Sequence, residues 1–214
     1  MKSARLRERL LERGGRAKVT LTERTIDQIE TYYLLLNHWN KRINLSALPL
    51  ETMGDQAIDR VLIEPLVAAA AVPDGLLRWW DLGSGGGSPA LPIRIVRPEA
   101  QLTLVEARSR KVAFLREAVR ELALSNVEVV AGRFEDVVGR RELDGTADLV
   151  TVRAVRIDAS LLDLSRKLLK KSGGLLLFAT RDAPIPATRL FTLERTVELI
   201  PGGRAELLVL KVGQ

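Results

Sequence analysis

From Leu76 onward the chain alternates short runs of Leu, Val and Ile with amphipathic helical stretches, a pattern that few architectures other than a parallel sheet flanked by helices accommodate. Strands are expected at 77–82, 102–106, 127–131, 148–152 and 175–179, the last after a turn at 170–174. Two final apolar runs, 196–200 and 206–212, flank Pro201-Gly202-Gly203 and read as an antiparallel hairpin, which completes seven strands. Between the second and third strands Val112, Leu115, Val119 and Leu122 form the inward stripe of a helix. Upstream, Thr20-Leu21-Thr22-Glu23 has the spacing of a capping box, and Ile26, Ile29, Tyr33, Leu36 and Trp39 recur at helical steps over about five turns. A second helical stretch covers 55–71, where Pro65 is expected to kink it. The organisation expected is a basic arm at 1–18, a helical extension at 19–75 and an α/β unit at 76–214, compact with the extension.

Composition narrows the chemistry. The 214 residues contain no cysteine and one histidine, His38, so disulfides, Cys-ligated metal, cysteine nucleophiles and His-based triads are excluded, and no metal site is expected. No apolar run of about 18 residues suggests a membrane span, and the arginine-rich start is unlike a secretory leader. A cytoplasmic protein without a membrane partner is the expectation. The net charge of +6 is concentrated in the first 18 residues, where Lys2, Arg5, Arg7, Arg9, Arg13, Arg16 and Lys18 face only Glu8 and Glu12. Such an arm attracts polyanions, or is simply a solvated tail.

The most informative stretch is Asp81-Leu82-Gly83-Ser84-Gly85-Gly86-Gly87-Ser88-Pro89, where the first strand gives way to a helix. Glycines there let a ligand approach the backbone, and the helix N-terminus adds a partial positive charge. A dinucleotide fingerprint wants glycine where Ser88 stands, and a Walker loop wants Gly-Lys-Ser/Thr, which is absent. What remains, Asp81 with Gly83, Gly85 and Gly87, resembles the first motif of S-adenosylmethionine-dependent methyltransferases. Glu106, ending the second strand, is placed to accept hydrogen bonds from a ribose diol. Glu135 or Asp136 follows the third strand and is placed to receive an adenine amino group, with Phe134 packing on the ring.

With these motifs in view, the sequence resembles the bacterial small-subunit ribosomal RNA guanine-N7 methyltransferases, also called the glucose-inhibited division protein B family. The resemblance runs from about Tyr33 to Leu210 and rests on Trp39-Asn40-Lys41-Arg42-Ile43-Asn44-Leu45-Ser46-Ala47, the glycine turn, Arg110-Lys111-Val112-Ala113-Phe114-Leu115 and Thr151-Val152-Arg153-Ala154-Val155. It implies a Rossmann-like seven-stranded fold and S-adenosylmethionine as cofactor, held at positions matching Gly83, Ser88, Phe134, Glu135 and Arg153. It also implies methylation of a guanine in 16S rRNA, free or in a ribosomal particle; a monomer is expected. Departures from the pattern are Val61 in place of histidine, Glu64-Pro65 in place of Asp-Ser, Ser88 in place of a bulky apolar residue, Ala90 in place of glycine and Arg181 in place of lysine.

Guanine N7 carries a lone pair and no proton at neutral pH, so no general base is required and none is assigned. Candidate RNA contacts are Asn44, Arg110, Lys111, Arg133, Arg153, Arg181 and the basic arm, with Trp39 or Tyr33 as stacking surfaces. Trp39 fits a core role better, and Asn44 equally suits capping of backbone groups. Two other readings use the same fold: a methyltransferase acting on a small molecule or protein, and a non-catalytic ribosome-binding protein.

Overall fold

A computed structural model describes residues 2–75, 77–184, 186 and 188–213; Leu76, where the α/β unit was expected to begin, lies outside the described residues. The element order opens with helices α1 (Lys2–Arg16) and α2 (Glu23–Asn40). Helices α3 (Asp55–Ile58) and α4 (Glu64–Ala68) follow, joined by a π-helical segment at Asp59–Ile63. Then come β1 (Arg78–Leu82), α5 (Ala90–Val96), β2 (Gln101–Glu106), α6 (Ser109–Glu121), β3 (Val127–Ala131), α7 (Phe134–Val138) and β4 (Ala147–Arg153). Helix α8 (Ala159–Leu168) and strands β5 (Leu169–Thr180), β6 (Phe191–Glu198) and β7 (Ala205–Val212) complete it.

The seven strands form one sheet in the order β3-β2-β1-β4-β5-β7-β6. Pairings among β1 to β5 are parallel, and β7 runs antiparallel to both β5 and β6. From β1 the chain winds outward through β2 and β3, then returns to lay β4 on the other side of β1. The carboxyl ends of β1 and β4 therefore flank the point where an open sheet leaves a crevice. Strand residues alternate between the faces. Trp79, Leu102, Leu104, Leu149 and Leu176 pack beneath α2, α5 and α6 in one core, while Val105, Val150, Val152, Leu175 and Leu177 pack against α7 and α8 in another.

Several sequence expectations are corrected. The cap of α2 is Thr22, whose hydroxyl accepts from the Thr25 amide, two residues later than the box starting at Thr20. Strand β5 begins at Leu169, so the expected turn at 170–174 lies within it; Gly173 and Gly174 accommodate the register irregularity opposite Ala147 to Leu149. Strand β6 starts at Phe191, earlier than expected. It is an edge strand with mostly exposed side chains, so its sequence lacks the alternating apolar signature.

The largest correction concerns the N-terminus. Residues 2–16 form a helix whose Leu6 and Leu10 are fully buried, and four of its five arginines meet acids of the protein itself. Arg7 meets Glu23, Asp27 and Glu30; Arg9 meets Glu12 and Asp55; Arg13 meets Asp55 and Asp59; Arg16 meets Glu12. The stripe Leu6/Leu10 explains why it folds back, because exposing two leucines costs more than docking them.

Candidate active site

A cavity of about 730 Å3 opens at the switch point of the sheet. One wall is the turn Gly83 to Gly86 with Ser88; the floor includes Glu106 and Arg153; the opposite wall comes from the helical extension through Arg60, Val61 and Glu64. The connection between β6 and β7, at Gly203 to Ala205, closes one end.

The three alternate glycines of the turn all have positive φ, at 75° for Gly83, 55° for Gly85 and 80° for Gly87, yet they serve different purposes. A Cβ at Gly85 would meet no heavy atom within 3.7 Å, its nearest neighbour being the Gly83 carbonyl at 3.8 Å, so this glycine keeps the cavity clear. A Cβ at Gly87 would lie 2.5 Å from Leu91 Cδ1, so this one permits packing of α5, and it does not line the cavity. The turn is held from below by Glu106, which is 7% exposed; its Oε2 accepts from the Gly85 amide at 2.9 Å and its Oε1 from the Arg108 amide at 2.8 Å. From above, the Tyr32 hydroxyl donates to the Gly86 carbonyl at 2.7 Å.

Asp81 lies behind the turn and outside the cavity wall. Its Oδ1 accepts from the Thr151 hydroxyl at 2.5 Å, and Thr151 accepts in turn from the Trp79 indole at 2.9 Å, which ties β1 to β4. Burial pushes the Asp81 carboxyl up to about 6, against hydrogen bonds from Thr151 and Ser84 that lower it. Arg153 is likewise enclosed, with an 8% exposed side chain; Nη1 donates to the Arg60 carbonyl at 2.7 Å, Nη2 donates to Ser88 Oγ, and the guanidinium lies 5.6 Å from the centre of the Phe178 ring. Burial and the neighbouring Arg60 lower Arg153 to about 10. Glu64 Oε2 stands 2.9 Å from Arg60 Nη1 and 3.6 Å from Arg153 Nη1, and burial raises its carboxyl.

Among the residues expected from sequence, Gly83, Gly85, Ser88, Glu106, Lys111 and Arg153 come together around the cavity. Phe134 and Glu135 do not line it. They follow β3, where the Gly132 amide donates to the Glu106 carbonyl at 3.0 Å, and so border the site along the sheet edge. Arg110 and Arg133 are exposed outside the cavity, and Asn44 is exposed in the loop after α2. The capping expected of Asn44 is performed by Asn40, whose Oδ1 accepts from the Leu45 and Ser46 amides. Arg181 pairs with Glu198 and Glu206 on the β6–β7 hairpin and does not line the cavity. Tyr33 is fully buried with its hydroxyl on the Leu50 carbonyl, which rules out base stacking there. Trp39 is half-buried at the edge of the core, edge-on against Phe114 with centroids 5.9 Å apart and its indole N–H on Glu117 at 3.2 Å.

Sequence reasoning missed the wall from the extension. Arg60 and Glu64 are four residues apart, one helical turn, and that spacing was the available signal.

The donor set fits S-adenosylmethionine: an open glycine turn for close backbone approach, and a cavity-lining carboxylate, each oxygen of which accepts one amide and keeps capacity for a diol. Comparisons with known proteins agree. The family model described as rRNA small subunit methyltransferase G matches residues 25–184. A relative from Neisseria meningitidis, "Ribosomal RNA small subunit methyltransferase G", is 38% identical over 78% of this chain and 76% of its own. A protein of the same description from Streptococcus sanguinis is 32% identical over 78% of this chain and 70% of its own. Among solved structures, an S-adenosylmethionine-dependent methyltransferase from Aquifex aeolicus superposes with a TM-score of 0.55 over 76% of this chain and 96% of that one, at 15% identity, a likeness of fold alone.

Fold, crevice and the family match together define a Rossmann-like S-adenosylmethionine-dependent methyltransferase. Within that class, the chain belongs to the rRNA small subunit methyltransferase G family.

Proposed function

We propose that this chain methylates N7 of a guanine in 16S rRNA, acting as a monomer on free RNA or on a ribosomal particle. The observation that carries the reading is the cavity itself: it sits at the sheet's switch point, with Gly85 leaving space on one side and Glu106 locking the turn beneath. A cavity of about 730 Å3 is roomy for a nucleoside-sized cofactor together with the edge of a base.

When bound, S-adenosylmethionine supplies an electrophilic methyl group on a sulfonium centre. The backbone of Gly83 to Gly86 would receive its amino acid end, and Glu106 its ribose; Phe134 and Glu135, beside Glu106 at the sheet edge, are proposed for the adenine end. Because N7 has a lone pair and no proton, the chain's task is alignment, which replaces a bimolecular encounter by a near-attack geometry. On the opposite wall Glu64 is paired with Arg60 and Asp59 with Arg13, so that wall offers the base polar groups of both signs rather than free negative charge. Lys111 and Arg108, which line the cavity, and the exposed Arg110 beside them are proposed as phosphate contacts.

The test is incubation of the protein and labelled donor with small-subunit RNA and particles from a strain lacking this modification, followed by nucleoside analysis. N7-methylguanosine at a single position is the expected product. Label on another atom, or none on RNA while the protein binds the donor, overturns the acceptor assignment.

A further inference from the structure

The α-helical hydrogen-bond ladder of residues 55–71 is broken at the cavity by the π segment Asp59–Ile63, and two carbonyls there bond outside the helix. In an α-helical register the amide of residue 65 would donate to the Val61 carbonyl, and in the π register to the Arg60 carbonyl. Pro65 has no N–H to give to either, and the amide of Glu64 goes to the Asp59 carbonyl instead. Both carbonyls are met by side chains from the α/β unit. Ser88 Oγ donates to the Val61 carbonyl at 2.7 Å, and Arg153 Nη1 donates to the Arg60 carbonyl at 2.7 Å.

The two contacts are one network. Ser88 has a single hydroxyl proton, committed to Val61, so the same oxygen is the acceptor for Arg153 Nη2. Arg153 is held on its remaining sides by the Phe178 ring and by Glu64, the residue immediately before the proline. Ser88 directly follows the glycine turn, while Arg153 ends β4, so the broken helix is fastened to both lips of the switch point.

We infer that Pro65 is a positioning residue: by withholding a backbone N–H it leaves the Arg60 and Val61 carbonyls to hold Ser88 and Arg153, and thereby fixes the glycine turn against the helical extension. This rests on the cavity being the donor site. An ordinary residue at 65 would supply an amide that competes with Ser88 or Arg153 for these acceptors, and the helix itself would gain from the exchange. The break therefore trades helical regularity for a fixed site.

The experiment compares wild type, Pro65→Ala, Ser88→Ala and the double variant in donor binding by calorimetry, steady-state kinetics and amide exchange. Pro65→Ala should raise the dissociation constant and KM for S-adenosylmethionine about tenfold, with kcat changed less than about twofold and the melting temperature unchanged or higher. Ser88→Ala should act in the same direction, Ser88→Thr should restore most of the affinity because it keeps the hydroxyl, and the double variant should be no worse than the weaker single one. The amide introduced by Pro65→Ala should exchange slowly, since it takes one of the carbonyls. Wild-type donor affinity in Pro65→Ala, strictly additive losses in the double variant, or an unprotected new amide would each overturn the inference. A wild-type protein that binds no donor would instead refute the underlying site assignment, and the exchange result would still decide the hydrogen-bond claim.

Discussion

Asp81 shows how one residue can be conspicuous in a sequence and yet do its work out of the ligand's reach. Its carboxylate joins Thr151 and Trp79 in a buried chain that clamps β1 to β4, and the clamp sets where the glycine turn begins. Burial raises this carboxyl from 3.8 to about 6, so the folded state holds the proton more tightly than the unfolded chain does. By linkage, stability contributed by this group is fully present below about pH 4 and is lost as pH rises through about 6, by up to about 3 kcal/mol, then stays flat. Chemical denaturation between pH 4 and 7 should show that fall, and Asp81→Asn should flatten it. Gly85→Val belongs to the same scale. A β-branched residue forced to a φ of 55° costs about 1–3 kcal/mol and fills the one open side of the turn, so calorimetry should detect no donor binding by a protein that still melts cooperatively. Wild-type affinity in that variant would reduce the turn to a connector.

Elements tell which parts of the fold were legible. Strands β1 to β4 were readable within a residue or two, because buried parallel strands are continuous apolar runs bounded by turns. Glycines and Glu106 followed, since a ligand at the switch point needs them at the ends of successive strands. Helix α1 was not readable as a docked element: its seven-to-two excess of bases over acids, counted through residue 18, suggests a free arm, whereas the acids that match it, Glu23, Asp27, Glu30, Asp55 and Asp59, lie elsewhere in the sequence. The same limit hid the contact of Arg153 with Arg60, 93 residues away. Two outcomes follow for α1. Leu10→Ala should lower stability by about 3 kcal/mol in urea titration, as for a buried leucine. Neutralising Arg13 should leave the salt dependence of RNA binding nearly unchanged, because this guanidinium already serves Asp55 and Asp59; a slope shallower by about 0.7 would make it a phosphate contact.

At the scale of the molecule, the helical extension and the α/β unit build the site jointly. Tyr32 fastens the turn from α2, the broken helix supplies Arg60, Val61 and Glu64, and the sheet supplies the rest. Donor binding should therefore stabilise the whole chain in one transition: at a hundredfold excess over the dissociation constant, S-adenosylmethionine should add about 2.7 kcal/mol, seen as a single shifted melting curve. Two transitions with only one responding would mean that the extension does not share in the site. The most direct measurement is a crystal structure with S-adenosylhomocysteine. The account predicts the amino acid end against Gly83 to Gly86 and both ribose hydroxyls on Glu106, with the thioether facing the wall of Arg60 and Glu64; a nucleoside bound elsewhere, or one that leaves Glu106 untouched, would contradict it.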